Sequence, residues 1–153
     1  MYAVRRTVRG LPEKVGKHIK RVDAALPGKH TRQLYDHLTF KEARTLSQLR
    51  TGMARLNGYL FQVKAVPSNQ CACGQAEETV EHFVLRCKKW AELRAEMLKC
   101  TETRGSNISF YLGGKSTSDG ENWKPNMEAV RATVRFAIAT ERLEADQPQG
   151  EIP

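Results

Sequence analysis

The chain has 153 residues, of which 40% are hydrophobic and 27% are charged, and its net charge is +8. A chain of this length buries roughly 70% of its unfolded surface, so one domain can form a core without disulfide bonds. No run of about 18 apolar residues is present, which argues against a membrane-spanning helix. No apolar segment follows Arg5 and Arg6, as a secretory signal would require. These features predict a soluble intracellular protein, nuclear or cytoplasmic.

The basic residues are concentrated near the N-terminus. Residues 1–32 carry nine basic and two acidic side chains, a charge of 9 − 2 = +7, whereas the other 16 basic and 15 acidic side chains give +1. Clustered Lys and Arg neutralise phosphates and release counterions, so this segment is a candidate nucleic-acid contact, and a solvated linker is the alternative. Lys88 and Lys89, which lie next to Cys87, are candidate contacts as well. The full set of predicted nucleic-acid contacts is Arg5, Arg6, Arg9, Lys14, Lys17, Lys20, Arg21, Lys88 and Lys89.

Composition also predicts three regions along the chain. Three glycines and two prolines interrupt residues 1–37, which have little apolar periodicity and are expected to form a flexible or loosely helical basic arm. Residues 38–143 are expected to form the folded domain. Residues 144–153, EADQPQGEIP, offer little to pack and are expected to be disordered.

Helical signals begin after the predicted arm. Thr39 and Glu42 have the spacing of a capping box, in which each residue satisfies a backbone amide of the other. An apolar stripe at steps of three and four then predicts an amphipathic helix, which Gly52 is expected to break into two. The stripe consists of Leu46, Leu49, Met53, Leu56 and Leu60.

Similar signals predict the rest of the domain. Thr79 is expected to begin a helix that reaches Met97, and Asn126 a final helix whose buried face contains Met127, Val130, Val134 and Ile138. Apolar residues alternate in residues 108–112, which predicts a short strand or extended segment. The fold class is therefore mainly α, a small helical domain. Its predicted core includes Leu46, Leu49, Leu56, Phe83, Trp90, Val134 and Ile138.

The segment with metal-binding chemistry contains Cys71, Cys73, His82 and Cys87 within 17 residues. Three thiols and one imidazole suit a tetrahedral zinc ion, and a site closed by four protein ligands is structural. Gly74 permits a sharp turn after Cys73. His82 and Cys87 are five positions apart, about 140° around an ideal helix, so the helix is expected to loosen or end near Cys87.

Other interpretations of the same four residues stay open. His82 could be a half-buried histidine without a metal, and Cys87 lies on the apolar stripe, where a free cysteine behaves as a small hydrophobic residue. Cys71 and Cys73 could form a redox pair. Cys100 lies outside the spacing and is expected to be an ordinary thiol.

Residues 49–97 resemble the segment downstream of the RNase H domain in LINE-type reverse transcriptases of non-LTR retrotransposons, particularly the Tad-like elements of fungi. The resemblance is carried by the sequence Leu49-Arg50-Thr51-Gly52, the Cys71, Cys73, His82 and Cys87 quartet, Glu78-Thr79, and Trp90 with Arg94. It is weaker outside these residues and extends from about Lys29 to the later segment Ile108–Leu143. It implies a zinc site and contact with element RNA or target DNA.

The sequence lacks the residues that catalysis by such a protein would need. A polymerase or an RNase H requires grouped carboxylates for two-metal chemistry, whereas the four aspartates are scattered in predicted arm, loop or tail settings. Gly113-Gly114-Lys115 lacks the spacing of a phosphate-binding loop and is expected to be a turn. The chain is therefore predicted not to be an enzyme. The alternatives to nucleic-acid binding are a protein-interaction module with purely structural zinc and a truncated relic of an element.

Overall fold

The computed structural model describes residues 17–23, 29–99, 107–116 and 119–144. A π-helical turn (His82–Arg86) and a 3-10 turn (Lys88–Trp90) lie between the fourth and fifth α-helices. Outside helices, the described ranges contain one isolated antiparallel bridge, Gln70–Glu77, so the predicted mainly α fold is confirmed. The helices are α1 (Lys17–Val22), α2 (Lys29–Tyr35), α3 (Phe40–Thr51), α4 (Asn57–Gln62), α5 (Ala91–Leu98), α6 (Ile108–Tyr111) and α7 (Met127–Thr140).

Local signals set the bounds of α3 as the sequence predicts. The Thr39 amide donates to Glu42 Oε1 at 2.9 Å, and the Glu42 amide donates to Thr39 Oγ1 at 3.3 Å. Gly52, with φ 76°, ends the helix in the left-handed conformation that glycine adopts without strain. Met53 is 63% exposed, contrary to its predicted place in the stripe, because it follows the break where helical periodicity no longer applies. The other four stripe residues, Leu46, Leu49, Leu56 and Leu60, are buried.

The core is organised around α7, which packs against α3, α5 and α6. Asn126 begins α7 because its side chain accepts the Ala129 amide at 3.1 Å. Val130 and Val134 are fully buried, whereas two other residues of the predicted face are only partly buried. These two, Met127 and Ile138, pack at the edge of the core.

The N-terminal helices belong to this core, which corrects the predicted boundary of a flexible arm at residue 37. Val22 on α1 and Leu34 on α2 are 1% and 0% exposed. The side chain of Ser109 on α6 donates a hydrogen bond to the Arg21 carbonyl at 2.8 Å. Each short helix contributes one fully buried apolar side chain among many charges, so little periodicity is visible in the sequence. Residues 1–16, 24–28 and the predicted tail 145–153 lie outside the described residues.

Residues 108–111 are helical, so the predicted strand is wrong. The Asn107 side chain accepts the Phe110 amide at 3.3 Å and thereby begins α6. Ile108 and Leu112 are both buried and four positions apart, which is a helical repeat. In five residues the alternating and helical patterns overlap, and the cap with the packing against α7 selects the helix.

A buried carboxylate joins the N-terminal part to the rest of the domain. Asp23 is 4% exposed and accepts hydrogen bonds from Arg50 NH2 at 2.8 Å, His30 Nε2 at 2.7 Å and the Lys115 amide at 3.1 Å. Gly114 passes so close to α1 that an added Cβ would lie 1.9 Å from the Val22 carbonyl oxygen. The Gly113-Gly114-Lys115 segment is thus a turn required by close backbone packing.

Candidate metal centre

The first two cysteines lie on a tight loop. The Cys71 amide donates to the Ala76 carbonyl and the Gly74 amide donates to the Cys71 carbonyl, both at 2.9 Å. Gly74 adopts φ 76°, the left-handed value expected for a sharp turn after Cys73. The loop therefore presents the thiols of Cys71 and Cys73 toward one point.

The histidine and the third cysteine lie on the helical segment that follows the loop. The His82 amide donates to Thr79 Oγ1 at 3.1 Å, which confirms the predicted cap. Residues His82–Arg86 form a π-helical turn, and the Cys87 amide donates to the His82 carbonyl at 2.7 Å. Because π-helical hydrogen bonds join residues five apart, this turn places His82 and Cys87 on the same side. The backbone becomes extended at Cys87, so the predicted loosening near this residue is confirmed.

The four predicted ligand side chains converge. The sulfur atoms of Cys71, Cys73 and Cys87 and a ring nitrogen of His82 all lie within 4.8 Å of one another. Cys71 Sγ is 3.6 Å from Cys87 Sγ, and Cys73 Sγ is 3.3 Å from His82 Nε2. All three cysteines are free thiols. This cluster can hold one metal ion, with every ligand supplied by the chain.

Burial sets the protonation chemistry of the cluster. Desolvation raises the pKa of the Cys71 thiol to about 12. The Gln75 amide lowers the pKa of the more exposed Cys73 thiol. Desolvation lowers the pKa of His82, which keeps its imidazole neutral and able to donate a lone pair. A bound cation would supply the charge that the Cys71 thiolate needs.

An arginine that the sequence indicates only through the resemblance supports the turn between His82 and Cys87. Arg94 on α5 is 7% exposed and donates to the carbonyls of Phe83 at 3.1 Å, Val84 at 2.8 Å and Cys87 at 2.8 Å. The Phe83 and Val84 carbonyls belong to the π-helical turn, and the Cys87 carbonyl, which also accepts the Trp90 amide at 3.3 Å, begins the 3-10 turn. The guanidinium thus fixes the backbone that carries Cys87. Its position among charged residues of α5 gives no sequence signal of this role.

The described basic residues of the predicted nucleic-acid interface lie on α1 and next to Cys87. Arg21 NH1 lies 3.5 Å from Glu81 Oε2, which places α1 beside the residue that precedes His82. Lys88 and Lys89 directly follow Cys87 and are exposed. Arg5, Arg6, Arg9 and Lys14 lie outside the described residues.

Trp90, predicted to be core, is only partly buried. The Trp90 ring packs edge-on against Phe83 with 6.3 Å between ring centroids, and Lys89 Nζ lies 4.9 Å from the centroid of the Trp90 ring. The indole therefore lies between the core and the basic residues that follow Cys87.

No family model, curated protein or solved structure matches the chain. None of the described helices combines the length and apolarity needed to cross a membrane.

Proposed function

We propose that the chain is a non-catalytic zinc-binding module that binds nucleic acid and derives from the C-terminal part of a non-LTR retrotransposon reverse transcriptase. The observation that carries the proposal is the contact between Arg21 and Glu81, since it places the basic helix α1 beside the cluster of cysteines and histidine. Cations that are separated in sequence thereby come to one part of the domain, where they are able to contact the same phosphate backbone.

Zinc is the metal that fits the donor set. Three thiolates and one imidazole select zinc over magnesium or calcium, which prefer oxygen ligands. Zn–S bonds of about 2.3 Å at tetrahedral angles place two sulfurs roughly 3.8 Å apart, close to the 3.6 Å between Cys71 and Cys87. With four protein ligands no position is left for a substrate, so the ion would have a structural role.

Salt dependence tests the nucleic-acid part of the proposal. Each phosphate contact contributes roughly 0.7 to 0.9 to the slope of log affinity against log salt, so about six contacts predict a slope near −4 to −5 on a mixed-sequence RNA. Deleting residues 1–32 would remove Val22 and Asp23 from the core, so substitutions in the full chain are the cleaner test. We expect the K17Q/K88Q/K89Q variant to flatten the slope by about 2 to 3.

A matched variant controls for net charge. Lys124, Arg131 and Arg135 are exposed, and the triple change to Gln removes the same three charges from the α7 region. We expect this variant to change the slope by less than half as much as K17Q/K88Q/K89Q does. Equal slopes for the two variants and the unmodified chain would show that the cations beside the metal centre do not contact the nucleic acid, and would overturn the proposal.

A protein-interaction module is the second candidate, favoured by an exposed aromatic residue beside a groove. Phe40 is 85% exposed at the edge of a groove of about 330 Å³ between α3 and the end of α7. Gln48 lines this groove, and its side-chain carbonyl has no hydrogen-bond partner among the described residues. Arg44, also on the groove, is exposed and forms no ion pair within the described ranges, so it suits an acidic partner. The partner would present an apolar side chain next to a carboxylate.

A defined probe distinguishes the two candidates. An amphipathic helical peptide with leucines on one face and glutamates beside them is titrated by fluorescence polarisation. If the groove is the functional surface, F40S weakens peptide binding at least tenfold, and F61S, at a 45% exposed phenylalanine on α4, leaves it unchanged. If the chain binds nucleic acid strongly and F40S leaves that binding unchanged, protein interaction through the groove is excluded as the main function.

A further inference from the structure

A buried carboxylate connects the metal centre to the C-terminal end of α7. Glu78 is 3% exposed and lies between the cysteine loop and the helical segment that begins at Thr79. Its Oε2 atom is 3.9 Å from Cys71 Sγ and accepts a hydrogen bond from Arg142 Nε at 3.1 Å. Its Oε1 atom accepts the Asn57 amide at 2.7 Å and Arg142 NH2 at 2.5 Å. One carboxylate thus contacts a metal-ligand side chain, α4 and an arginine 64 positions away.

Arg142 is held in place from several directions. It follows Glu141, whose left-handed φ of 56° ends α7 and turns the chain back toward the metal loop. Besides Glu78, its guanidinium donates to the Arg55 carbonyl at 2.8 Å and to Asn57 Oδ1 at 3.3 Å. Its side chain is 26% exposed, and that of Glu78 is 4% exposed. This bidentate geometry is the strongest arrangement available to an arginine and a carboxylate.

The charges around the site explain what this ion pair does. A divalent ion with three thiolates and a neutral imidazole carries a net charge of −1. Glu78 adds a second negative charge beside Cys71, and repulsion between them weakens metal binding unless a cation compensates. Arg142 supplies that cation and also fixes the orientation of the carboxylate. Partners of this kind around a metal site typically change metal affinity by about 10 to 100-fold.

We propose that Arg142 is a positioning residue for the metal centre, acting through Glu78, and that it couples metal binding to docking of the C-terminal end of α7. The proposal rests on the metal-binding part of the proposed function. Coupling is reciprocal, so a change that weakens this docking weakens metal binding, and the metal in turn stabilises the docked end.

Zinc affinity, measured by competition with a chromophoric chelator, tests the coupling in the full-length chain. We expect R142Q to lower zinc affinity about 10 to 100-fold, because Glu78 then lacks its cation. We expect R142K, which retains the positive charge without the paired donors, to lose much less. The R131Q variant removes an exposed arginine from α7 and should bind zinc like the unmodified chain.

A second charge change separates coupling from a purely structural role. E78Q/R142Q removes both charges and keeps the shape of residue 78, so it should recover most of the zinc affinity lost in R142Q. A structural role predicts no recovery, because both ends of the ion pair are then damaged. Failure of the unmodified chain to bind zinc would refute the proposed function itself. Normal zinc binding with R142Q equal to R131Q would refute only the coupling.

Hydrogen exchange tests the reciprocal effect without relying on affinity. Zinc should slow amide exchange in the last turn of α7, around residues 137–140, in the unmodified chain. In R142Q this protection by zinc should be lost, since the docking contact is absent. Equal protection in both proteins would contradict the coupling.

Discussion

Asp23 and Arg50 form a buried ion pair, with 2.8 Å between Asp23 Oδ2 and Arg50 NH2. The two residues are 27 positions apart and connect the end of α1 to α3. Arg50 NH1 also donates to the Leu112 carbonyl, so the same guanidinium reaches the end of α6. The basic helix α1 is therefore attached to the core by an ion pair that is almost fully buried.

Loss of this pair should destabilise the domain strongly. The D23N substitution keeps the shape of the side chain and leaves the buried Arg50 charge uncompensated, which should lower the free energy of unfolding by about 3 to 5 kcal/mol. Urea denaturation measures this change. D36N, at an exposed aspartate after α2, should stay within about 0.5 kcal/mol of the unmodified chain. Similar effects of the two substitutions would show that α1 is not docked in solution.

Phe83 should be a principal contributor to stability. It is 1% exposed, and its ring lies 5.4 Å from that of Phe136 on α7, measured between centroids. F83A should cost roughly 3 to 5 kcal/mol, because the cavity cannot fill without moving α7. F61A serves as the control, since Phe61 is 45% exposed. A loss below about 1 kcal/mol for F83A, measured by urea denaturation, would contradict the burial of Phe83 in the core.

The purified protein should contain one zinc ion per chain, which elemental analysis measures. Chelation should melt helical structure between residues 71 and 99, because structural zinc binding is coupled to folding. C87S should reduce the zinc content, whereas C100S should not, since Cys100 lies outside the ligand spacing. An unchanged circular dichroism spectrum in chelator would exclude a structural role for the metal.

Zinc affinity should also depend on pH. The pKa of the Cys71 thiol is raised to about 12, so the ion must displace a proton there. Zinc affinity should therefore rise with pH across the neutral range.

His18 should make stability depend on pH. Burial lowers its pKa from 6.5, and its neutral Nε2–H donates to the Leu49 carbonyl at 2.8 Å. The unfolded chain therefore binds more protons than the folded chain when the pH falls below about 6.5, so this contribution is present at neutral pH and is lost on acidification. H18Q retains a donor without titrating, so the stability difference between H18Q and the unmodified chain should change between pH 7.5 and pH 5. H37Q, at an exposed histidine, should show the same dependence of stability on pH as the unmodified chain. A constant difference for H18Q would show that His18 does not titrate with folding.

The features that the sequence by itself determined depend on residues close together in the chain. The Thr39–Glu42 capping box, the Gly52 stop and the Asn126 cap are satisfied by backbone groups within four residues. The spacing of Cys71, Cys73, His82 and Cys87 limits where a tight loop and a short helical turn can bring their side chains. Local geometry alone is enough to predict such features.

Tertiary structure decided what local geometry leaves open. Whether residues 108–111 form a helix or a strand depended on packing against α7, and the docking of α1 depended on Arg50, 27 positions beyond Asp23. Glu78 pairs with the guanidinium of Arg142, 64 positions away. No periodic pattern encodes such pairings, because a buried charge is stable only where the fold supplies its partner and excludes water. The same physics explains why a segment rich in Lys and Arg looked like a free arm in the sequence, and why its helices Lys17–Val22 and Lys29–Tyr35 form part of the domain.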